Sequence, residues 1–164
     1  MENFDWTKFT KRIAVKASLP DMYNAWTRSA DIEKWFLENA NFYETSGTII
    51  SKETPVDSGF TYEWSWYLNV GHETGKITKA NGKDHLQFTF AGECLVDINL
   101  SIQGEYVIIE LTQKDIPTDD KSKKNIRLGC ASGWSFYLVN LKSVYESGFD
   151  LRNKDANLKS VVNS

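Results

Sequence analysis

Few residues of the chain have types and spacings that support catalysis or metal binding. The two histidines, His72 and His85, fall on separate predicted strands among polar neighbours, where a lone surface histidine is expected. The two cysteines, Cys94 and Cys130, are also far apart in the sequence. Neither His-x-Glu nor Cys-x-x-Cys spacing occurs, and metal sites commonly use such spacings. The sequence therefore predicts no metal site.

Acid–base and nucleophilic catalysis have equally little support. Asp97 and Glu110 lie on predicted strands, but no pattern brings their carboxyl groups together as a general acid and base. Ser132 and Gly133 lie inside a helical pattern, whereas a nucleophile elbow needs a sharp turn from strand to helix. The sequence also has no glycine-rich phosphate loop. We therefore expect no identifiable catalytic residue and no cofactor.

Aromatic side chains are the chemical feature that stands out. The chain of 164 residues contains 6 Trp, 7 Tyr and 9 Phe, or 13% aromatic residues. Each of these side chains can bury about 150–250 Å², so together they can form a large core. Buried Tyr and Trp side chains also need partners for their hydroxyl and N–H groups. The aromatic residues either fill a core or line a partly polar cavity, and composition alone leaves both open.

Two kinds of element are expected in the N-terminal third. Residues 9–17 alternate between apolar and polar side chains, which predicts a strand. Ser18 is followed three residues later by Asp21, and Pro20 lies in the first turn, which is typical of a helix start. A second short helix is predicted over residues 31–37. Both helices are too short to be stable alone and must pack against other elements.

Residues 42–114 show the pattern of successive antiparallel strands. Tyr62, Trp64, Trp66 and Leu68 share one face of a predicted strand, and their neighbours share the other. The dipeptide at residues 81–82, Asn-Gly, is a strong hairpin signal. Repeated hairpins with one apolar face predict an antiparallel sheet that is buried on one side.

A long helix is predicted at residues 125–147, after a polar loop at residues 117–124. Its apolar residues recur every three or four positions, and Gly148 stands where a C-terminal cap is expected. Gly133 lacks a Cβ atom and is expected to let the helix approach a strand closely, with a ligand passing close to the helix backbone as the less favoured alternative. Only this helix is long enough to cover the buried sheet face. The sequence therefore predicts an α+β fold, in which a curved antiparallel sheet of about six or seven strands wraps around the helix.

Charge and hydropathy restrict the expected binding partners and the expected location of the protein. The chain has 19 Lys and Arg against 22 Asp and Glu, a net charge of −3, which argues against nucleic-acid binding. It lacks an apolar run long enough to span a membrane and an N-terminal apolar segment typical of a signal peptide. A cytoplasmic location with reduced cysteines is expected, with a redox pair as the alternative. We expect one domain over residues 1–152 and a polar tail over 153–164.

Three stretches resemble a known family. They are Pro20–Trp26, Asp31–Phe36, and the segment from Gly133 to Lys142 that continues through Glu146–Arg152. These stretches resemble the START-like (SRPBCC) helix-grip superfamily, and within it the homologues of activators of the ninety-kilodalton heat-shock-protein ATPase. The third stretch is the most specific, through its Gly-Trp, Leu-x-x-Leu-Lys and Gly-x-Asp-Leu-Arg spacings. The resemblance covers about residues 9–152 and implies a helix-grip fold with two short helices after the first strand.

The resemblance also implies a location for a binding site. In relatives, the gap between sheet and long helix holds lipids, polyketides or other apolar small molecules. The inward-facing candidates for a ligand-binding role are Trp26, Trp35, Phe36, Tyr62, Trp64, Trp66, Phe88, Phe90, Trp134, Tyr137, Leu138 and Leu141. The alternative is that these side chains fill the gap completely. An error of one residue in the strand faces would also invert the sheet part of the set.

Three functions follow as hypotheses. The first is a protein that binds an apolar or aromatic small molecule between the sheet and the helix. The second is an interaction module that contacts a heat-shock-protein ATPase. The third is a cyclase-like enzyme acting on a small hydrophobic substrate, which would need polar groups inside the cavity.

Overall fold

The chain folds into a seven-stranded antiparallel sheet that curves around one long C-terminal helix. The structure is a computed structural model, and it describes residues 3–162. The elements in chain order are β1 (Phe9–Val15), α1 (Leu19–Thr27), α2 (Ser29–Ile32), β2 (Asn39–Tyr43), β3 (Thr61–Ser65), β4 (Glu73–Ala80), β5 (His85–Phe90), β6 (Cys94–Gln103), β7 (Tyr106–Lys114), α3 (Asp120–Ser122), a π-helical turn (Lys123–Leu128) and α4 (Gly129–Ser147). This arrangement confirms the predicted α+β helix-grip fold.

The sheet runs in the order β1-β7-β6-β5-β4-β3-β2, so β1 and β2 form its two edges. Every neighbouring pair is antiparallel. The predicted hairpin at Asn81 joins β4 to β5, and the Asn81 side-chain oxygen accepts hydrogen bonds from three following backbone N–H groups. Leu68 does not share the inner face as predicted. It follows the end of β3 in a turn, with a φ of 63°, and is exposed.

The first short helix forms as its sequence predicts, and the second does not. The Ser18 hydroxyl accepts a hydrogen bond from the backbone N–H of Asp21 at 3.2 Å and so caps α1. The second helix, predicted at 31–37, covers only Ser29–Ile32 and continues as a turn. Trp35 lies in that turn, and its indole N–H donates to the carbonyl of Ala25 at 2.9 Å. This tertiary contact explains the difference, because packing overrides helix propensity over so few residues.

The long helix begins differently from its prediction. Helical backbone starts at Asp120 in α3, inside the predicted loop, and passes through the π-helical turn before α4 begins at Gly129. The predicted apolar stripe is confirmed, since Trp134, Leu138 and Leu141 are buried. Gly148 ends α4 in the left-handed conformation, with φ 76°. None of the helices within residues 3–162 is both long and apolar enough to cross a membrane.

Side chains of α4 occupy the free edge of β1. The ammonium group of Lys142 donates to the carbonyl of Ala14 at 2.7 Å. Two residues further along the chain, directly after the end of β1, the backbone N–H of Lys16 donates to the Glu146 carboxylate at 2.9 Å. Lys142 and Glu146 also pair with each other at 3.0 Å. The same two side chains therefore join α4 to the edge of the sheet.

A buried ion pair fastens the segment after α4 to the turn after α2. The Arg152 guanidinium donates to both oxygens of the Asp150 carboxylate, at 2.9 and 2.8 Å. It also donates to the carbonyls of Leu37 and Glu33, each at 3.0 Å. The Arg152 side chain is only 4% exposed. We call Asp150 and Arg152, with Asn140, the C-terminal latch.

Asn140 completes the latch from within α4. Its side-chain NH₂ donates to the carbonyl of Trp35 at 2.7 Å and to Asp150 at 3.1 Å. Its oxygen accepts from the backbone N–H of Leu151 at 2.7 Å. Burial acts to raise the pKa of Asp150, but the hydrogen bonds from Arg152 and its neighbours outweigh burial and hold that pKa well below its usual value. The Gly-x-Asp-Leu-Arg spacing is therefore explained by packing.

Candidate functional site: an aromatic cavity under the long helix

A cavity of about 320 Å³ lies between α4, the sheet and the turn after α2. Its wall is mainly apolar, with a carboxylate, a carboxamide, a thiol and a phenol among its groups. The lining residues are Phe36, Trp66, Asn69, Glu73, Phe90, Ala91, Cys130, Gly133, Trp134 and Tyr137. The gap is therefore open at one end.

Five of the twelve predicted residues line this cavity: Phe36, Trp66, Phe90, Trp134 and Tyr137. The other seven, each 2% exposed or less, fill the rest of the gap: Trp26, Trp35, Tyr62, Trp64, Phe88, Leu138 and Leu141. The structure thus divides the twelve residues between the buried core and the cavity wall. Their role in ligand binding stays a prediction.

Four of the five aromatic rings form a closed circuit of contacts. Phe36 lies 5.5 Å from Trp66 and 4.9 Å from Trp134, measured between ring centroids. Phe90 lies 6.3 Å from Trp66 and 5.3 Å from Trp134. Tyr137 packs edge-on against Phe36 at 4.9 Å. These distances are typical of stabilising aromatic pairs, so the rings support one another as a continuous wall.

A buried hydrogen bond fixes the orientation of Trp134. Its indole N–H donates to the side-chain oxygen of Gln113 at 3.0 Å, and Gln113 is fully buried. The N–H group is therefore engaged away from any ligand, and Trp134 contributes only its ring to the cavity wall. The side-chain nitrogen of Gln113 has no hydrogen-bond partner among the described residues.

Glu73 supplies the negative charge of the cavity wall. It is paired with Trp64 across β3 and β4, and directly opposite residues share a face of the sheet. Because Trp64 is buried on the inner face, Glu73 also points inward. Its carboxylate accepts a hydrogen bond from the backbone N–H of Ala91 at 2.8 Å. Within residues 3–162 no Lys or Arg forms an ion pair with it.

The thiol and the phenol of the wall are uncharged at neutral pH. Burial raises the pKa of Cys130 to about 11, against a smaller opposing effect of the neighbouring Gln113 side chain. Burial also raises the pKa of Tyr137 to about 12, although Arg152 acts to lower it. A protonated thiol is a poor nucleophile. The wall therefore presents one anion, neutral polar groups and aromatic rings, which suits binding better than nucleophilic chemistry.

Gly133 corrects an expectation from the sequence. It was expected to bring α4 close to a strand, but a Cβ atom at this position would have nothing within 4 Å. Gly133 instead lies on the cavity wall and leaves space there. Sequence reasoning also missed Asn69, Glu73, Ala91 and Cys130 as lining residues. Of these four residues, only Cys130 could have been identified from the sequence, because it belongs to the apolar stripe of α4.

The predicted lone histidine at position 85 has partners. Its ring Nε2 lies 2.9 Å from the Asp97 carboxylate, which also binds Gln87 at 2.9 Å and Lys114 at 3.0 Å. This polar cluster is on the outer face of the sheet, because Leu86 and Phe88 occupy the inner face. Burial acts to raise the pKa of Asp97, but its hydrogen bonds lower it overall.

The remaining polar candidates stay apart. Glu110 forms an ion pair with Arg12 at 3.3 Å. His72 is exposed, 3.8 Å from Glu63. Among the described residues no group of three or more His, Cys, Asp or Glu side chains is arranged to hold a metal ion.

An antiparallel sheet gripping a long helix, with an aromatic cavity between them, defines a helix-grip protein. The chain matches the family of Activator of Hsp90 ATPase homolog 1-like proteins over residues 16–146, and it belongs to that family. Curated protein sequences gave no significant match.

Solved structures share the fold at low sequence identity. The Aha1 dimer from Colwellia psychrerythraea is 21% identical, with a TM-score of 0.66 over 86% of this chain and 97% of that one. A heat-shock-protein-90 activator from Plasmodium falciparum is 16% identical, with a TM-score of 0.59 over 84% and 95%. DynU16, a protein of the dynemicin biosynthetic locus, is 16% identical, with a TM-score of 0.70 over 90% of this chain and 50% of that one.

Proposed function

We propose that the protein binds an apolar or aromatic small molecule in the cavity under α4. The observation that supports this proposal is the open volume of about 320 Å³ beside a wall of five aromatic side chains. Ligand pockets typically span about 300–1,000 Å³ and are mostly apolar with a few placed polar groups. The cavity is at the lower end of that range, which favours a compact ring compound over a long lipid chain.

Rigidity of the wall supports the same proposal. The rings are held by one another and by the hydrogen bond between Trp134 and Gln113. A wall that keeps its shape when empty reduces the entropy that binding must overcome.

Filling the cavity from α4 provides a test. In Gly133→Leu the added side chain projects into open space on the cavity wall, because nothing lies within 4 Å of a Cβ atom there. Ser132→Leu adds the same side chain one residue earlier, at an exposed position. Binding of the neutral fluorescent probe N-phenyl-naphthylamine is titrated by its emission. We expect saturable binding to the parent and to Ser132→Leu, and loss of at least tenfold in affinity in Gly133→Leu. Equal binding by both variants, or no saturable binding by the parent, would refute the proposal.

A second candidate function rests on family membership. The family takes its name from activators of the Hsp90 ATPase. A chaperone contact predicts that adding this protein in excess increases ATP turnover by an Hsp90 ATPase, measured as phosphate release. An equal concentration of an unrelated protein of similar size serves as the control. Unchanged turnover would reject this candidate and would leave small-molecule binding unaffected.

A further inference from the structure

We propose that the ligand of this cavity carries a positively charged, alkylated ammonium group. The inference rests on the proposed function and narrows it to a class of small organic cations. Its basis is a carboxylate without a counter-ion, Glu73, placed in a wall of aromatic rings.

The cavity wall carries a negatively charged side chain and no positively charged one. Glu73 is the one Asp or Glu among the lining residues, and none of them is Lys or Arg. Its hydrogen bond from the Ala91 backbone leaves the negative charge uncompensated. The field of this carboxylate reaches the Cys130 thiol of the wall and the Tyr62 phenol of the adjoining core, because it acts to raise the pKa of both. An anionic ligand would be repelled, and a cation would be the missing counter-ion.

The aromatic rings of the cavity wall also favour a positively charged ligand. A cation over a ring face is attracted by the ring quadrupole, most strongly when water is excluded. The chain uses this interaction elsewhere, since Arg127 lies 4.5 Å from the ring centroid of Phe4 and Lys154 lies 4.7 Å from that of Tyr67. No Lys or Arg of the described residues lies over any of the five rings of the cavity wall. Those ring faces are available to a ligand.

Alkylation of the ammonium group follows from the predominance of aromatic surface in the cavity wall. A primary ammonium donates three hydrogen bonds and loses strongly bound water on entering an apolar site. The cavity offers side-chain oxygen acceptors at Glu73, Asn69 and Tyr137, whereas five of its ten lining residues present aromatic rings, which suit methyl groups. A quaternary ammonium carries the charge with no donors left unsatisfied.

Glu73 also stands at the mouth of the cavity. A second depression, of about 260 Å³, shares Trp66, Asn69 and Glu73 with it. This depression is completed by residues 70–72 of the exposed turn between β3 and β4. A cation arriving from solvent therefore meets the carboxylate before the inner rings.

Two probes of the same shape but different charge show whether the charge of the ligand contributes to its affinity. Para-hydroxyphenyl-trimethylammonium and para-tert-butylphenol differ by one nitrogen in place of one carbon. Binding is measured by proton–nitrogen NMR through the indole N–H signals of Trp66 and Trp134. The variants are Glu73→Gln, whose amide oxygen still accepts from Ala91, and Glu63→Gln as the matched control. Glu63 is a carboxylate on β3 whose side chain points to the opposite face from that of its neighbour Trp64.

We expect the parent protein to bind the cation about tenfold more tightly than the neutral probe. Glu73→Gln should lose most of that preference while keeping its affinity for the neutral probe, and Glu63→Gln should retain the preference. Equal or tighter binding of the neutral probe by the parent overturns the inference and leaves the proposed function intact. A preference that survives Glu73→Gln also overturns it. If neither probe binds at millimolar concentration, both this inference and the proposed function fail.

Discussion

Substituting Asp150 by Asn should destabilise the protein by about 3 kcal/mol at neutral pH. Breaking a buried ion pair by removing one partner costs about 3–5 kcal/mol, because the other charge is left buried without compensation. Arg152 is such a charge, with a side chain 4% exposed. The lower end of the range applies for two reasons. The Asp150 side chain is 25% exposed, and Arg152 keeps its hydrogen bonds to two backbone carbonyls.

The effect should depend on pH with a defined sign. The pKa of Asp150 is lower in the folded protein than its ordinary value of about 3.9. Its stabilising contribution is therefore complete above about pH 4 and is lost as the pH falls through the lower folded-state pKa. The difference between the parent protein and Asp150→Asn should consequently be largest at neutral pH and should shrink in acid.

Urea unfolding followed by tryptophan fluorescence gives the free energy of unfolding of the parent protein and of Asp150→Asn. The measurement is made at neutral pH and at about pH 3, so that the loss of stability and its pH dependence are both obtained. Asp155→Asn is the matched control, since Asp155 is exposed and its side-chain oxygen accepts local hydrogen bonds that Asn can also accept. We expect that variant to change stability by less than about 0.5 kcal/mol. A loss below about 1 kcal/mol for Asp150→Asn, or a loss that is the same at both pH values, would show that the latch does not act as a buried ion pair.

Three further outcomes are expected. Gly133→Ala should stabilise the protein by about 0.5–1 kcal/mol in urea unfolding, because glycine is unfavourable within a helix and the new methyl group has free space. Gly75→Ala should instead destabilise it by about 1–3 kcal/mol, since its Cβ would lie 2.5 Å from the Tyr62 hydroxyl, and equal effects of the two substitutions would contradict both estimates. Alkylation of Cys130 by iodoacetamide should be slow at neutral pH and should accelerate towards its pKa of about 11, as judged by mass spectrometry, with Cys130→Ser as the blank. A rate that is already maximal at pH 7 would show that the thiol is not buried as described.

The fold could be predicted because its signals are local. The cap at Ser18, the Asn81 hairpin and the alternation in β3 each depend on neighbouring residues, and each appears as expected. The second short helix could not be placed, because the contacts of Trp35 with the Ala25 carbonyl and with the Asn140 side chain decide its conformation. The π-helical turn before α4 likewise leaves no mark in the spacing of the apolar residues that follow it.

The cavity was harder to predict than the fold. The alternation around Trp64 predicted which side chains lie on the inner face of the sheet. Residues that fill the space between sheet and helix and residues that border a cavity there show the same sequence pattern, however. Only the packing of the folded chain, which places Phe36 but not Trp35 on the cavity wall, separates the two groups. Glu73 was not predicted as a lining residue, because the face of the sheet on which its side chain lies depends on the register between β3 and β4. The sequence pattern does not determine that register.

The contacts of α4 with β1 also bear on self-association through the sheet. An exposed edge strand presents free N–H and carbonyl groups that can pair with a strand of another molecule. Lys142 binds one of these groups in β1, Glu146 binds the N–H of the residue directly after the strand, and both side chains are charged. The opposite edge, β2, is only five residues long, which also limits pairing. The helix that borders the cavity thus also covers part of this sheet edge, so substitutions at Lys142 or Glu146 should lower solubility while leaving the cavity wall unchanged.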